Sequence, residues 1–127
     1  MIKVLVVDDS ALVRKLLGRV FAAEPDFDVQ VARDGMEALE QLKAFQPDVV
    51  TLDIHMPGMD GLACLDRIMI ERPTPVVMVS TQTAEGADTT LEALRLGAVD
   101  FITKPGGAVS LRIDALAPEL VDRKSVV

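Results

Sequence analysis

Short segments that are apolar at every position alternate along this chain with amphipathic stretches. Val4–Val7 and Val76–Val79 are two such segments, and a strand that is apolar on both faces is typical of the buried centre of a parallel sheet. The stretches between the segments repeat apolar residues every three or four positions, which predicts helices. Parallel strands joined by helices require right-handed crossover connections. The sequence therefore predicts an α/β fold with a doubly wound, five-stranded parallel sheet and helices on both of its faces.

The predicted elements form five consecutive β–α units. Strands are predicted at Lys3–Val7, Phe27–Ala32, Asp48–Leu52, Pro75–Ser80 and Val99–Thr103. Helices follow each of them, and the last is predicted to be short, beginning near Asp114 or at Pro118.

The first and fourth helices carry the clearest local signals. In the first, Ser10 is the expected N-cap. Its apolar face is expected to combine two neighbouring rows, Leu12, Leu16 and Val20 with Val13, Leu17 and Phe21. In the fourth, Leu91 and Leu94, with Ala87 and Ala98 nearby, mark the helix, and Gly97 is expected to end it.

Length and composition exclude several classes of protein. The 127 residues predict one domain, expected at residues 1–122, with 123–127 as the start of a linker to a further domain. A net charge of −7 and the absence of Trp and Tyr argue against direct binding of nucleic acid. The apolar runs are too short to span a bilayer. A single cysteine, Cys64, excludes a disulfide framework and a cysteine zinc site. We therefore expect a cytoplasmic protein without a membrane partner.

Charged and polar residues follow four of the five predicted strands. They are Asp8 and Asp9 after the first strand, Asp53 after the third, Ser80 with Thr81 after the fourth, and Lys104 after the fifth. The carboxyl ends of parallel strands meet at one edge of the sheet, where such folds bind ligands. Carboxylates 4 Å apart repel by about 4 kcal/mol at an effective dielectric of about 20, so a fold rarely gathers three of them without a cation. An all-oxygen site suits Mg²⁺, and a metal beside an ammonium group suits phosphoryl transfer to a carboxylate.

Four motifs give the chain a resemblance to a known family. They are VLVVDDS (Val4–Ser10), LDIHMPGMDG (Leu52–Gly61), VVMVS (Val76–Ser80) and FITKP (Phe101–Pro105). In their order and spacing the chain resembles the receiver domains of two-component response regulators, which implies the flavodoxin-like strand order 2-1-3-4-5. Within that family it is most similar to the N-terminal receivers of chemotaxis protein-glutamate methylesterases, through Met78–Gly86, Thr90–Leu94, Gly97–Pro105 and Gly106–Ile113.

The resemblance implies a role for each residue at the sheet edge. Asp53 would be the phosphoacceptor. Asp9 would bind Mg²⁺ directly, Asp8 would act mainly through water, and the backbone carbonyl of His55 would be a further ligand. Ser80 and Lys104 would bind phosphoryl oxygens.

Further residues are implied to modulate the site. Phe101 would be the switch aromatic, which turns inward when Ser80 moves toward the phosphoryl group, although a core position is the simpler interpretation. The Lys104–Pro105 bond would be cis. The side chains of His55 and Gln82 would flank the phosphoryl group and tune its hydrolysis.

The same resemblance implies partners. A histidine kinase or its phosphotransfer domain, or a small acyl phosphate, would donate the phosphoryl group. The chain's own C-terminal effector domain would respond to it, and Mg²⁺ is the only cofactor implied. This chain would catalyse only its own phosphorylation and dephosphorylation, whereas the full-length parent would be a protein-glutamate methylesterase.

Other interpretations of the same residues stay open at this point. The chain could be the receiver of a DNA-binding or stand-alone regulator. It could also be a Mg²⁺-dependent phosphatase with an aspartate nucleophile, although such enzymes usually carry a second acid where His55 stands. A hydrolase triad of His55 with Ser80 is disfavoured because no GxSxG motif is present. Cys64 is expected to be a packing residue, and Gly106-Gly107 a flexible connection.

Overall fold

Five parallel strands form one sheet in this computed structural model, which describes residues 2–23, 25–80 and 86–103. The strands are β1 (Ile2–Val7), β2 (Phe27–Ala32), β3 (Val49–Asp53), β4 (Val76–Ser80) and β5 (Asp100–Thr103). The helices are α1 (Ala11–Ala22), α2 (Gly35–Ala44), α3 (Gly61–Glu71) and α4 (Gly86–Leu96). The strand order is β2-β1-β3-β4-β5, with every pair parallel. The predicted fold class and strand order are confirmed.

The chain reverses its direction across the sheet at β1. It passes from β1 to β2 on one side and returns to place β3 on the other side of β1. Val7 lies beside Ala32 of β2 and Leu52 of β3. Ligands of open α/β sheets bind at such a reversal, beyond the carboxyl ends of the strands. The fold therefore directs attention to the residues that follow β1 and β3.

Apolar side chains cover both faces of the central strands. The core cluster on one face joins the sheet to α2, α3 and α4 and includes Leu5, Val7, Val50, Leu52, Leu65, Ile68, Met78 and Ala93. The core cluster on the other face joins the sheet to α1 and includes Val4, Val6, Leu17, Phe21, Phe27, Val49 and Val77. The rings of Phe21 and Phe27 meet edge to face, with centroids 5.7 Å apart. Because Val4–Val7 is buried at every position, the two-sided burial predicted from the sequence is confirmed.

Polar caps set the ends of the helices. The Ser10 hydroxyl accepts a hydrogen bond from Val13 N at 3.3 Å, as predicted. Asp34 and Asp60 cap α2 and α3 in the same way. At the end of α4, Gly97 has φ 114°, and Gly97 N and Ala98 N donate to the carbonyls of Leu94 and Ala93. This pair of hydrogen bonds is a Schellman motif, which confirms Gly97 as the end of the helix.

The fourth helix is confirmed as α4, but the apolar face predicted for α1 is partly wrong. Leu17 and Phe21 are the buried residues of α1, whereas Leu12 and Leu16 are exposed. In α4, Ala93 is fully buried, whereas Leu91 and Leu94 are exposed. Neighbouring rows on a helix both repeat every three or four residues, so periodicity does not select the row that faces the sheet.

The last predicted helix, near Asp114 or Pro118, lies outside the described residues. No helix within residues 2–23, 25–80 and 86–103 is long and apolar enough to cross a membrane.

Candidate functional site

Three carboxylates meet at the carboxyl end of the sheet. Asp8 directly follows β1, Asp9 comes next, and Asp53 is the last residue of β3. The last paired residues of β1 and β3 are Val7 and Leu52, so Asp8 and Asp53 leave the sheet side by side. One oxygen from each of Asp8, Asp9 and Asp53 lies within 4.8 Å of the other two. The structure thus brings Asp53 together with two acids that are 45 and 44 positions before it in the sequence.

The surroundings of the three carboxylates differ. Asp8 and Asp53 are only 1% and 4% exposed, whereas Asp9 is exposed. Two negative charges at this separation repel by roughly 3 kcal/mol at an effective dielectric of about 20. Burial of two of the three acids makes that repulsion harder to screen. The cluster is therefore electrostatically costly by itself, and a bound cation would offset the cost.

Asp8 is held by backbone and side-chain hydrogen bonds. Its N–H donates to the Ala32 carbonyl at 3.1 Å, and its carboxylate Oδ1 accepts from Ser10 N at 2.9 Å. Its carbonyl accepts from Arg14 Nη1 at 2.8 Å. These contacts tie the β1–α1 turn to β2 on one side and to α1 on the other.

Asp53 is placed by a close approach between β3 and the start of α3. Ile54 N donates to the Val79 carbonyl at 3.2 Å, and Gly61 N donates to the Ile54 carbonyl at 2.7 Å. A Cβ on Gly61 would overlap the carbonyl oxygen of Asp53 and lie 2.6 Å from the Ile54 Cα. Only glycine lets α3 begin directly against the end of β3.

The loop between β3 and α3 supplies the one histidine of the chain. The His55 side chain is exposed, and Met56 beside it is buried. Gly58 has φ 82°, a left-handed conformation that favours glycine. The triad of His55 with Ser80, which the sequence already disfavours, gains no support here, because the cluster of possible ligands consists of Asp8, Asp9 and Asp53.

The other predicted site residues are described less fully. Ser80 ends β4, one residue beyond Val79, which pairs with Asp53, and Phe101 pairs with Met78. The Ser80 backbone therefore lies at the same edge of the sheet as Asp53, and the Phe101 backbone lies level with Leu52, one residue before Asp53. The side chains of Ser80 and Phe101 lie outside the described part. Thr81, Gln82, Lys104, the Lys104–Pro105 bond and Gly106-Gly107 lie outside the described residues.

Two residues of the site were not singled out from the sequence. Arg14 stands on α1, four positions after the N-cap, which is one helical turn. The sequence signal that could have identified Arg14 is a basic residue within one or two turns of two adjacent acids. Gly61 was seen only as part of a glycine-rich loop, and nothing in a single sequence shows how closely β3 and α3 approach.

Cys64 behaves as the predicted packing residue. Its thiol is fully buried in α3. Burial, together with the negative charges of Asp34 and Asp60, raises the pKa of the thiol to about 12. The thiol therefore stays protonated at neutral pH and is a poor nucleophile.

The carboxylate cluster fits a hard divalent cation. It offers three oxygen ligands and no nitrogen or sulfur, which is the donor set of Mg²⁺ rather than of zinc. Its one exposed member, Asp9, leaves a side open to water, and Mg²⁺ keeps several waters when bound to protein. The residues present can hold such an ion.

Known proteins are similar to this chain in both sequence and fold. The profile of the response regulator receiver domain family matches residues 4–115. A protein-glutamate methylesterase/protein-glutamine glutaminase of Rhodopseudomonas palustris is 61% identical over 121 residues, covering 95% of this chain and 33% of the relative. The chain thus spans about a third of the length of the curated relatives it matches.

Solved structures agree with the sequence comparison. The crystal structure of the response regulator domain of Thermotoga maritima CheB is 50% identical with a TM-score of 0.83, covering 98% of this chain and 94% of that one. A CheX–CheY–BeF3–Mg²⁺ complex from Borrelia burgdorferi contains a chain 34% identical to this one, with a TM-score of 0.78, covering 93% and 89%.

Proposed function

Since this chain belongs to the family of response regulator receiver domains, we propose that Asp53 accepts a phosphoryl group in a Mg²⁺-dependent reaction. The chain is a receiver of the type that protein-glutamate methylesterases carry. The observation that supports the proposed site is the meeting of Asp8, Asp9 and Asp53 within 4.8 Å at the reversal point of the sheet.

In the proposed reaction, an Asp53 carboxylate oxygen attacks the phosphorus of the donor. A new bond forms between that oxygen and phosphorus. The bond from phosphorus to a histidine nitrogen, or to the oxygen of an acyl phosphate, breaks, and the leaving group takes the electron pair. Asp8, Asp9, Asp53 and the His55 carbonyl would hold Mg²⁺, and the bound ion would supply positive charge beside the phosphoryl oxygens.

The buried position of Asp53 suits a nucleophile. Its side chain is 4% exposed, and β3 and α3 hold its backbone through Gly61. A fixed backbone keeps the base of this side chain in place before the attack. The Borrelia complex, which contains BeF3 and Mg²⁺, supports the pairing of a divalent ion with a phosphoryl-like group in a related chain.

Lys104 and Ser80 are the proposed partners of the phosphoryl group once it is on Asp53. A phosphoryl group carries nearly two negative charges and strong acceptor oxygens. Attraction of Ser80 and Lys104 toward it would bias α4, β5 and the last helix between two arrangements, with Phe101 as the proposed aromatic switch. The flanking His55 and Gln82 would set the lifetime of the aspartyl-phosphate.

The whole protein is proposed to be a cytoplasmic protein-glutamate methylesterase. This chain would be its receiver, spanning residues 1–122, with 123–127 starting the linker. A histidine kinase or its phosphotransfer domain would donate the phosphoryl group, and a C-terminal effector domain would respond. The similarity to methylesterases favours this parent over a DNA-binding or stand-alone regulator.

Phosphorylation by acetyl phosphate tests the proposed acceptor. Wild type with Mg²⁺ is expected to gain the mass of one phosphoryl group by intact-protein mass spectrometry. Asp53→Asn is expected to gain none, because an amide oxygen is a far weaker nucleophile than a carboxylate. Asp66→Asn, at an exposed position of α3, is the matched control and is expected to label like wild type. Full labelling of Asp53→Asn would refute Asp53 as the acceptor.

A further inference from the structure

Arg14 contacts the candidate metal site without contributing a ligand to it. Its Nη1 donates to the Asp8 carbonyl at 2.8 Å, and the residue is half-buried. We propose that Arg14 is a positioning residue that sets the Mg²⁺ affinity of the carboxylate cluster by orienting the peptide between Asp8 and Asp9. This inference rests on the proposed function, since it concerns the same site.

The Asp8 carbonyl belongs to the peptide plane that leads directly to the Cα of Asp9. Peptide planes are rigid, so the direction of this carbonyl determines where Asp9 begins. Hydrogen bonds to Ala32 and from Ser10 hold the Asp8 N–H and carboxylate. The hydrogen bond from Arg14 holds the Asp8 carbonyl.

Among the three acids, Asp9 depends most on its backbone for the position of its carboxylate. It is exposed, whereas Asp8 and Asp53 are buried. Within the described residues no hydrogen bond or ion pair to the Asp9 side chain is present. Its carboxylate nevertheless lies within 4.8 Å of the other two. Its placement therefore depends on the backbone that carries it, and that backbone is held through Arg14.

The guanidinium group suits this task. It is planar, always charged and pre-organised for hydrogen bonds, and a charged donor makes a stronger bond to a carbonyl than a neutral one. The backbone hydrogen bond from Arg14 N to the Ser10 carbonyl, 3.0 Å, fixes the base of the side chain in the first turn of α1. In the described part of the chain Arg14 forms no ion pair. Its polar contact is with backbone rather than with an acid.

Two effects of Arg14 on Mg²⁺ binding oppose each other, and they predict opposite results. As a positioning residue, Arg14 strengthens binding, so its loss should weaken it. As a positive charge near the site, it repels a cation, so its loss should strengthen binding. Supporting groups around a metal typically change affinity by about 10- to 100-fold. We expect positioning to dominate, with a weakening of about tenfold.

Calorimetric titration of Mg²⁺ into the metal-free chain separates these effects. Arg14→Met is expected to raise the Mg²⁺ Kd about tenfold. Arg14→Lys keeps the charge but not the planar donor, so a smaller rise is expected; this variant also carries the test if Arg14→Met does not fold. Arg19→Met, at an exposed position further along α1, is the matched control and should match wild type.

A double-mutant cycle distinguishes positioning from general destabilisation. If Arg14 acts through Asp9, Arg14→Met should have little further effect on the Kd once Asp9 is Asn. A structural role would instead lower the melting temperature without Mg²⁺ and leave this coupling at zero. An unchanged or tighter Kd in Arg14→Met, with wild type binding Mg²⁺ normally, would overturn the inference alone. Failure of wild type to bind Mg²⁺ would overturn the proposed metal site together with it.

Discussion

At Gly61 the backbone of the neighbouring strand occupies the space that a side chain would fill. A Cβ there would meet the Asp53 carbonyl and the Ile54 Cα, both of them backbone atoms. Backbone in a central strand cannot rotate away as a side chain can, so the helix itself would have to shift. The close approach of Gly61 to Asp53 and Ile54 both packs α3 against β3 and fixes the backbone of Asp53. A substitution at Gly61 would therefore change the stability of the fold and the position of Asp53 together.

We therefore expect Gly61→Ala to destabilise the chain by at least about 2 kcal/mol, the middle of the range for overpacking. Urea unfolding followed by circular dichroism measures this as a lower midpoint. Gly18→Ala is the matched control. No atom lies within 4 Å of a Cβ at Gly18, in the middle of α1, and replacement of a helical glycine by alanine should stabilise by about 0.5–1 kcal/mol. Equal midpoints for the two variants would contradict the steric argument.

Helices α2 and α3 are joined by an ion-pair network centred on Glu71. Its carboxylate accepts from Arg67 at 2.9 Å within α3 and contacts Lys43 Nζ of α2 at 3.2 Å. Glu71 is the last residue of α3, where a negative charge is disfavoured by the helix dipole. The two cations offset that penalty, and the hydrogen bonds from Arg67 and then Lys43 lower the pKa of Glu71 below its ordinary value of 4.5.

A lowered carboxyl pKa predicts a definite pH dependence. The folded chain favours ionised Glu71, so its stabilising contribution is present above the ordinary pKa of 4.5 and is lost as pH falls through the lower folded value. Glu71→Gln should therefore be less stable than wild type at neutral pH. The difference should vanish in acid. Unfolding midpoints measured across this range test it, with Glu40→Gln, an exposed acid of α2, expected to give no such trend. A constant difference at every pH would refute the assignment to Glu71.

The elements differ in how far the sequence alone predicts them. Strands β1 and β4 were predictable because a segment that is apolar at every position buries both of its faces only at the centre of a parallel sheet. Strand β2 was predictable from the alternation of apolar and polar residues in Phe27–Ala32. The caps Ser10 and Gly97 were predictable because each depends on local chemistry. The buried faces of α1 and α4 were not, since Leu16 and Leu17 are equally apolar and only the sheet decides which of them is covered. The contact of Arg14 with the Asp8 carbonyl was not predictable either, because a basic residue near two acids does not show which atom it contacts.

At the scale of the whole molecule, the topology assembles the site. Asp8 and Asp53 became neighbours because β1 and β3 are adjacent, and this adjacency follows from the reversal of the chain at β1. The meeting of the acids was predictable once the strands were assigned. Their unequal burial was not, because it depends on the turn after β1.

Cation binding to the folded chain should raise its stability as a whole. The three acids meet only in the folded state, so Mg²⁺ that binds them stabilises it by RT ln(1 + [Mg²⁺]/Kd), about 2.7 kcal/mol at 100 times the Kd. For a chain of this size we expect a rise in melting temperature of about 10 °C by scanning calorimetry. Asp9→Asn should reduce the rise. An equal rise with sodium chloride at matched ionic strength would show that screening alone accounts for the effect.

The innermost strands carry the acids, while the outer helices carry exposed apolar side chains such as Leu12, Leu16, Leu91 and Leu94. Amides of β1 and β3 should thus exchange with solvent among the slowest in the described part of the chain. The three acids therefore lie beside the strands that unfold locally least often. Substitutions at exposed helix positions that contact neither the acids nor their backbone should leave the reaction centre intact. An architecture of this kind lets recognition of other molecules diversify on its periphery while the reaction centre is inherited unchanged.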